Sequence, residues 1–327
     1  MPNKRQEVPY DKFIQAVVDA NGNFFNAAIK LNISRQFIFT LKKRYETEGR
    51  DVANDILNAT TPKDIYKPIT LSISQETLKI IAIGDHHDSP YMTDKSRIIW
   101  IARHIAETKP DMVVQIGDVA DFDSVSTHAA PGTVEHSLRP TISADMESLE
   151  ECLSLYNKIL PDGPNKILTA GNHEDRLKRF ENNHPEVHGG VYRQFEEIAS
   201  RYKWKTSFYG QWVFVNGVGF IHTPFNQMGR EYGGKNPENT IANDAIFSIV
   251  CGHTHKGLFK SVPKIGPAQT IEICNIGSSM PNKYVKKYAG RSTTGWTYGV
   301  WELSIRRGHV VGYNFVDMET LEEKYGD

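Results

Sequence analysis

Five short polar blocks stand out along the 327-residue chain: Asp85-His86-His87, Gly117-Asp118-Val119-Ala120-Asp121, Gly171-Asn172-His173-Glu174, a lone His222, and Gly252-His253-Thr254-His255. Imidazole, carboxylate and amide side chains together make a hard-to-borderline donor set, suited to manganese, iron or zinc. No cysteine lies in the blocks, which argues against a structural zinc knot. His253 and His255 are two residues apart, so on an extended segment their rings point the same way.

Each block follows an apolar run: LKIIAI, DMVVQI, NKILTA, VGFI and AIFSIVC. An apolar run that stops at a polar, Gly-containing turn is the pattern of a core strand entering a loop. Ligands and catalytic groups collect at the carboxyl ends of such strands. Between the runs lie helical stretches, DKSRIIWIARHIAETK ahead of Pro110, SADMESLEECLSLYNKIL, and EDRLKRFE leading toward FEEIASRYK. From about residue 211 the pattern turns to strands and ends in the hairpin YGVWELSIRRGHVVGYNFVDM. Alternation followed by strands predicts two packed sheets flanked by helices.

The five blocks in this order resemble the calcineurin-like metallophosphoesterase superfamily, whose order is D-x-H, G-D-x-x-D, G-N-H-E, H and G-H-x-H. The resemblance covers roughly residues 78 to 280 and implies a four-layer α/β/β/α sandwich with two divalent metal ions, manganese favoured and iron, zinc or nickel as alternatives. It implies that Asp85, His87, Asp118 and His255 hold one ion and that Asp118, Asn172, His222 and His253 hold the other, with Asp118 shared. Two ions about 3.5–4 Å apart bind substrate oxygens and lower the pKa of a bridging water, as phosphate ester hydrolysis requires. Neutral ligands such as Asn172 limit the negative charge that an anionic substrate meets.

By the same resemblance His173 is a non-ligating histidine that protonates or stabilises the departing alkoxide, and Asp121 is the carboxylate that orients it. Asp121 is alternatively a loop cap. The phosphoprotein-phosphatase branch carries Asp-Arg-Gly at this point, with an arginine that clamps a phosphate monoester. Here the chain reads Asp121-Phe122-Asp123, so that arginine is missing. Arg176 is either a replacement phosphate contact, since guanidinium matches phosphate oxygens, or the exposed start of the helix HEDRLKRFE.

The first fifty residues hold nine Lys/Arg against five Asp/Glu, about +4 locally in a chain of net charge -1. Three helices are expected there, Asp11–Ala20, Asn23–Leu31 and Ser34–Glu46. Asn21-Gly22 breaks the first from the second, Ser34 caps the third, and Phe25, Ala28, Leu31, Ile33, Ile38 and Leu41 share a small core. The segment resembles the helix-turn-helix domains of DNA-binding regulators and of phage or transposon proteins. In that reading Arg35 and Gln36 face base edges and Lys42, Lys43 and Arg44 face phosphates. The plain alternative is a three-helix bundle for docking or dimerisation. Residues 51–76 read as a linker, which leaves residues 77–327 as the catalytic domain.

The apolar stretches fall well short of the roughly 18 residues that would span a bilayer, and no secretory run opens the chain. Cys152, Cys251 and Cys274 are scattered, and the last two sit in apolar runs as buried thiols. A cytoplasmic location follows as the expectation, the host cytoplasm if the protein is phage-encoded. Loops 122–140, 226–240 and 278–297 are placed to shape a substrate site. In the last, Lys283, Lys286, Lys287 and Arg291 alternate with Tyr284, Tyr288 and Trp296, as in a strand-tracking surface. His86, His104, His184, His188 and His309 have no spacing that marks them as ligands. The expected activity is a phosphodiesterase or nuclease acting on nucleic acid, DNA favoured. The alternatives are a phosphomonoesterase acting on phosphoprotein or nucleotide, and a DNA-binding regulator on an inactive esterase scaffold.

Overall fold

The computed structural model describes residues 7–20, 22–60, 67–234, 236–266, 270–286, 289 and 294–326. The chain divides into two compact units, Met1–Tyr66 and Lys67–Asp327. Among the described residues no helix is long and apolar enough to cross a membrane.

In the first unit four helices pack together: α1 (Tyr10–Val18), α2 (Phe24–Lys30), α3 (Arg35–Thr47) and α4 (Val52–Thr60). Asn23 caps α2 by accepting the N–H groups of Phe25 and Asn26, and Ser34 caps α3 by accepting that of Phe37. Phe13, Val17, Ala27, Ala28, Ile38, Leu41, Tyr45 and Val52 form the core. Two expectations are corrected here. Phe25 is 47% exposed, because the core position expected for it is filled by Phe13 of α1 and Tyr45 of α3. Residues 51–76 are not a linker throughout. Val52 and Ile56, four apart, give α4 an apolar stripe against this core, and Ile69–Leu71 forms a strand of the second unit. Asn21 of the expected break lies outside the described residues.

The second unit is built on two sheets of six strands each among the described residues. One contains β2 (Leu78–Ile83), β3 (Met112–Gln115), β4 (Asn165–Thr169), β5 (Trp204–Ser207), β11 (Gly299–Arg306) and β12 (His309–Asp317), in the order β12-β11-β2-β3-β4-β5. The other contains β1 (Ile69–Leu71), β6 (Val213–Val215), β7 (Val218–Phe220), β8 (Ile249–Cys251), β9 (Gly257–Pro263) and β10 (Thr270–Ile276), in the order β1-β6-β7-β8-β10-β9. Strands β2 to β5 run parallel, as do β7 and β8.

Alternation along β2 shows why the unit is layered. Ile80 and Ala82 face the second sheet, in a core shared with Val213, Phe220, Val250 and Ile276. Ile81 and Ile83 point the other way, into a core formed with α5 (Ser96–Thr108), α7 (Ile142–Ile159), α9 (Val191–Arg201) and α11 (Met318–Tyr325). Helices α6 (Val134–Ser137) and α8 (Asn172–Asn183) belong to the loops around the site, and α10 (Pro237–Asp244) covers the outer face of the second sheet. Two sheets buried against each other and covered by helices outside make the α/β/β/α sandwich. All three cysteines are buried free thiols.

Candidate metal centre

Every polar block leaves the carboxyl end of a strand. Asp85 and His87 follow β2, Asp118 follows β3, Asn172 follows β4, His222 follows β7, and His253 and His255 follow β8. The backbone at these points is unusual. His87, Asp118, His253 and His255 all have φ between 48° and 71°, a left-handed conformation that is rare for residues with a Cβ and that gathers at functional sites. Close approach also demands glycine: a Cβ on Gly171 would meet Asp118 Oδ1 at 2.2 Å, and one on Gly252 would meet Asp85 Oδ1 at 2.7 Å. The G-N and G-H pairs are thus needed for the loops to touch.

The side chains converge in two groups. In the first, His255 Nε2 lies 2.9 Å from His87 Nε2 and 3.0 Å from Asp85 Oδ2. In the second, Asn172 Oδ1 lies 3.0 Å from both His222 Nε2 and His253 Nδ1, which are 3.2 Å apart. Asp118 Oδ2 stands 3.8 Å from His87 Nε2 and 3.4 Å from His222 Nε2, facing both groups.

The outer nitrogens decide what these groups present. His222 Nδ1 is 2.9 Å from the Ile116 carbonyl oxygen; a carbonyl only accepts, so Nδ1 donates and Nε2 carries a lone pair. His87 Nδ1 donates to Asp121 Oδ1 at 2.8 Å, which leaves its Nε2 bare in the same way. Glu231 Oε2, 3.5 Å from His253 Nε2, favours the proton there and a lone pair on Nδ1. Asp85 Oδ2 is buried and faces His255 Nε2 at 3.0 Å. The second group therefore has no donor among its three facing atoms and repels itself unless a cation sits at its centre, while in the first His87 Nε2 and Asp85 Oδ2 both face His255 Nε2, which has at most one hydrogen to give. Burial, with His255 and Lys286 nearby, pushes the His87 imidazole far below its ordinary pKa, and burial with His222 brings His253 to about 4. Neutral imidazole is the ligating form. Burial and the neighbouring Asp85 push Asp118 well up, the cost of two enclosed carboxylates that a divalent ion would offset. The residues fit a pair of divalent metals.

Two catalytic expectations change in detail. The Asp121 carboxylate lies 3.5 Å from His173 Nδ1, farther than a good hydrogen bond. It is taken by His87 Nδ1 and by Lys286 Nζ, and the imidazole instead donates from Nδ1 to the Asp121 main-chain carbonyl at 2.9 Å. The turn made by Phe122, with φ of 47°, aims that carbonyl inward. Arg176 is not the exposed start of its helix. It is buried, donates to the Asp121 carbonyl at 2.7 Å and to Asp123 at 3.1 Å, and points Nη2 at His173 Nε2, 3.1 Å away. Burial, then His87 and Arg176, push the His173 pKa far down. His173, Arg176, Lys286 and Tyr284 all line the roughly 650 Å3 cleft over the two groups.

Several contributors have no role in the sequence reading. Glu174 is fully buried and accepts the N–H groups of Gly171, Asp118 and Val119. Its signal is the carboxylate three residues into a helix, the pattern that reaches back to an N-cap. Glu231 orients His253 but lies in a loop without motif, so only the fold reveals it. His86 faces away from both groups, held between Tyr156 Oη at 2.8 Å and Ser279 Oγ at 2.5 Å. Trp296 meets the His255 ring edge to face at 4.5 Å; Lys283 is exposed, and Lys287, Tyr288 and Arg291 lie outside the described residues.

In the first unit Arg35, Gln36, Lys43 and Arg44 are exposed on α3, with Lys42 half-buried. Arg35 lies over the Phe25 ring at 5.1 Å. Lys42 pairs with Glu46 at 2.5 Å and Arg44 with Glu48 at 3.5 Å along the same helix. The two ends of α3 thus differ, with no ion pair in the first turn among the described residues and Lys42 and Arg44 paired in the later ones.

No curated protein matches the chain. Solved structures similar to it include Yfce, a phosphoesterase from E. coli, at 15% identity and a TM-score of 0.34 over 73% of this chain and 100% of that one. Others are TT1561 of Thermus thermophilus, at 10% identity and 0.31 over 74% and 99%, and GAP50, the anchor in the inner membrane complex of Plasmodium, at 10% identity and 0.24 over 74% and 89%. A family model described as calcineurin-like phosphoesterase matches residues 78–257, more than half of the chain and the whole span from β2 to the last histidine pair, and the protein belongs to that family.

Proposed function

We propose that this phosphoesterase is a dinuclear enzyme acting on phosphodiesters of nucleic acid. Asp85, His87 and His255 would hold one divalent ion, Asn172, His222 and His253 the other, and Asp118 both, with manganese the first choice for a mixed imidazole, carboxylate and amide set. Bound there, the pair supplies a water of lowered pKa and two positive centres for phosphoryl oxygens. The observation that carries this reading is the convergence of two clusters of ligand atoms on the single carboxylate of Asp118.

The remaining residues shape the substrate. Arg176 is fixed by the Asp121 carbonyl and Asp123, so its guanidinium waits in the cleft for a phosphoryl oxygen. Lys286 adds a second positive charge from the opposite loop. His173, oriented through Nδ1, turns Nε2 toward the same space and is the group that protonates the departing oxygen; an anionic substrate works against the burial and the Arg176 charge that hold its pKa down. Phe122 stands where a monoester enzyme of the phosphatase branch has arginine. The Asp123 carboxylate next to it in the cleft disfavours the dianion of a monoester more than the single charge of a diester. The first unit, with Arg35 and Gln36 exposed on the opening turn of α3, supports DNA as the polymer.

The test is a substrate panel with Mn2+-loaded protein: bis-p-nitrophenyl phosphate, p-nitrophenyl phosphate, then labelled DNA and RNA, each with and without chelator and with Asp118→Asn as control. The reading expects turnover of the diester above the monoester, cleavage of DNA, and loss of both with chelator or in the variant. Preference for the monoester with intact nucleic acid overturns it in favour of a phosphomonoesterase. No turnover of any ester by metal-loaded protein returns the scaffold alternative.

A further inference from the structure

Beside the cleft lies a second cavity of about 420 Å3, and Ser126 and Arg176 belong to the walls of both. Its walls carry Arg139, Arg176 and Arg179, and none of the described residues lining it is acidic. Arg176 and Arg179 are each tied to one carboxylate, Asp123 and Asp175. Arg139 makes no ion pair with any described residue. One of its Nη atoms donates to the Ala129 carbonyl at 2.8 Å, while its Nε is buried without a hydrogen-bond partner. With no carboxylate against its guanidinium, Arg139 brings an uncompensated positive charge to the cavity, which an anion would neutralise. One wall is flat: Phe180 and His184 stack at 4.1 Å, with His184 Nδ1 donating to the Phe180 carbonyl at 2.9 Å.

We infer that this cavity is a second phosphate subsite, which takes the phosphate next along the same substrate when the scissile diester sits in the metal cleft. The inference rests on the phosphodiesterase reading and deepens it, because a substrate with one phosphate leaves the cavity unused. Three guanidinium groups match phosphate oxygens in charge and geometry. The Phe180–His184 wall offers a face for the base that accompanies that phosphate. Arg176, standing between the two spaces, registers one phosphate against the other.

The experiment uses the full-length, Mn2+-loaded protein with three probes: bis-p-nitrophenyl phosphate, the dinucleotide TpT, and 5'-phosphorylated pTpT. Hydrolysis and, separately, calorimetric binding to protein loaded with Ca2+ are measured for wild type, Arg139→Ala and Asn183→Glu. The second variant sets a carboxylate on the cavity rim without removing any hydrogen bond named above. The inference expects pTpT to bind and react better than TpT by roughly tenfold or more, the scale of one charge-assisted contact. Both variants should erase that gain while leaving bis-p-nitrophenyl phosphate turnover unchanged. Equal affinity for pTpT and TpT in wild type overturns the inference even when the diester is hydrolysed, and so does a gain that survives both variants. A gain reproduced by TpT with added inorganic phosphate shows a separate anion site and overturns the same-substrate claim. If no ester is hydrolysed, the phosphodiesterase reading fails, and the binding difference between pTpT and TpT still decides the subsite.

Discussion

Glu174 accepts the main-chain N–H of Asp118 at 2.9 Å and that of Gly171 at 2.7 Å through one carboxylate oxygen. A single buried side chain therefore ties the loop after β3 to the loop after β4, and with it the shared carboxylate to the Asn172 ligand. Its other oxygen takes the Val119 N–H at 2.8 Å. Gly117 and Asp118 make the first loop left-handed, whereas Gly171 in the second is extended, and Glu174 serves donors of both.

Glu174→Ala should consequently weaken metal binding without removing any ligand. Losing a partner that orients metal-ligating groups costs on the order of 10–100-fold in metal affinity, and buried donors left unpaired cost about 1–3 kcal/mol each. Glu174→Gln, which keeps one acceptor oxygen, should lose less of both. Metal titrations and thermal melts of the two variants check this; wild-type affinity in Glu174→Ala would show that the loops hold their shape alone.

His173 and Arg176 share the cleft at 3.1 Å, and their roles separate by leaving group. A positioned general acid is worth on the order of 10²–10⁴-fold, so His173→Ala should lose more rate on an alkyl ester than on a p-nitrophenyl ester, whose leaving group needs little protonation. Arg176→Ala, lacking a phosphoryl contact, should lose similar rate on both and raise KM. Equal losses for the two esters in His173→Ala would assign that histidine to phosphate binding.

Much of this centre is legible in the sequence because each ligand closes an apolar strand run, and strand ends gather ligands. The block order carries Asp85, His87, Asp118, Asn172, His222, His253 and His255 to one place without any fold. What the chain order does not carry is contact between loops distant in sequence. The Asp121 carboxylate meets His87 from 34 residues away, while its carbonyl meets His173 from 52, and no local pattern distinguishes side chain from main chain as the partner. Arg176 stays open between phosphate contact and exposed helix start because the helix HEDRLKRFE is mostly charged; the loop carrying Asp123 covers it. The linker expectation fails for a similar reason, since the apolar pair Val52 and Ile56 is too short a pattern to declare a helix until its core is known.

For the first unit, deletion of residues 1–60 should leave hydrolysis of bis-p-nitrophenyl phosphate nearly intact, because every proposed ligand lies at residue 85 or beyond. Duplex DNA binding should fall and depend less on salt, as fewer phosphate contacts release fewer counterions. Arg35→Ala should relax any sequence preference, whereas joint replacement of Lys42, Lys43 and Arg44 by Ala should weaken binding to all sequences. The pairing of Lys42 with Glu46 and of Arg44 with Glu48 makes Lys43 the largest single contributor of the three. Anisotropy at several salt concentrations reads all of these, and an unchanged affinity and salt slope in the deletion would assign the four helices to docking or dimerisation.

The most direct test of the dinuclear account is anomalous scattering from crystals grown with Mn2+. The account predicts two peaks about 3.5–4 Å apart, one among Asp85, His87 and His255 and one among Asn172, His222 and His253, with Asp118 between them. A single peak, or two peaks that Asp118 does not join, would contradict it.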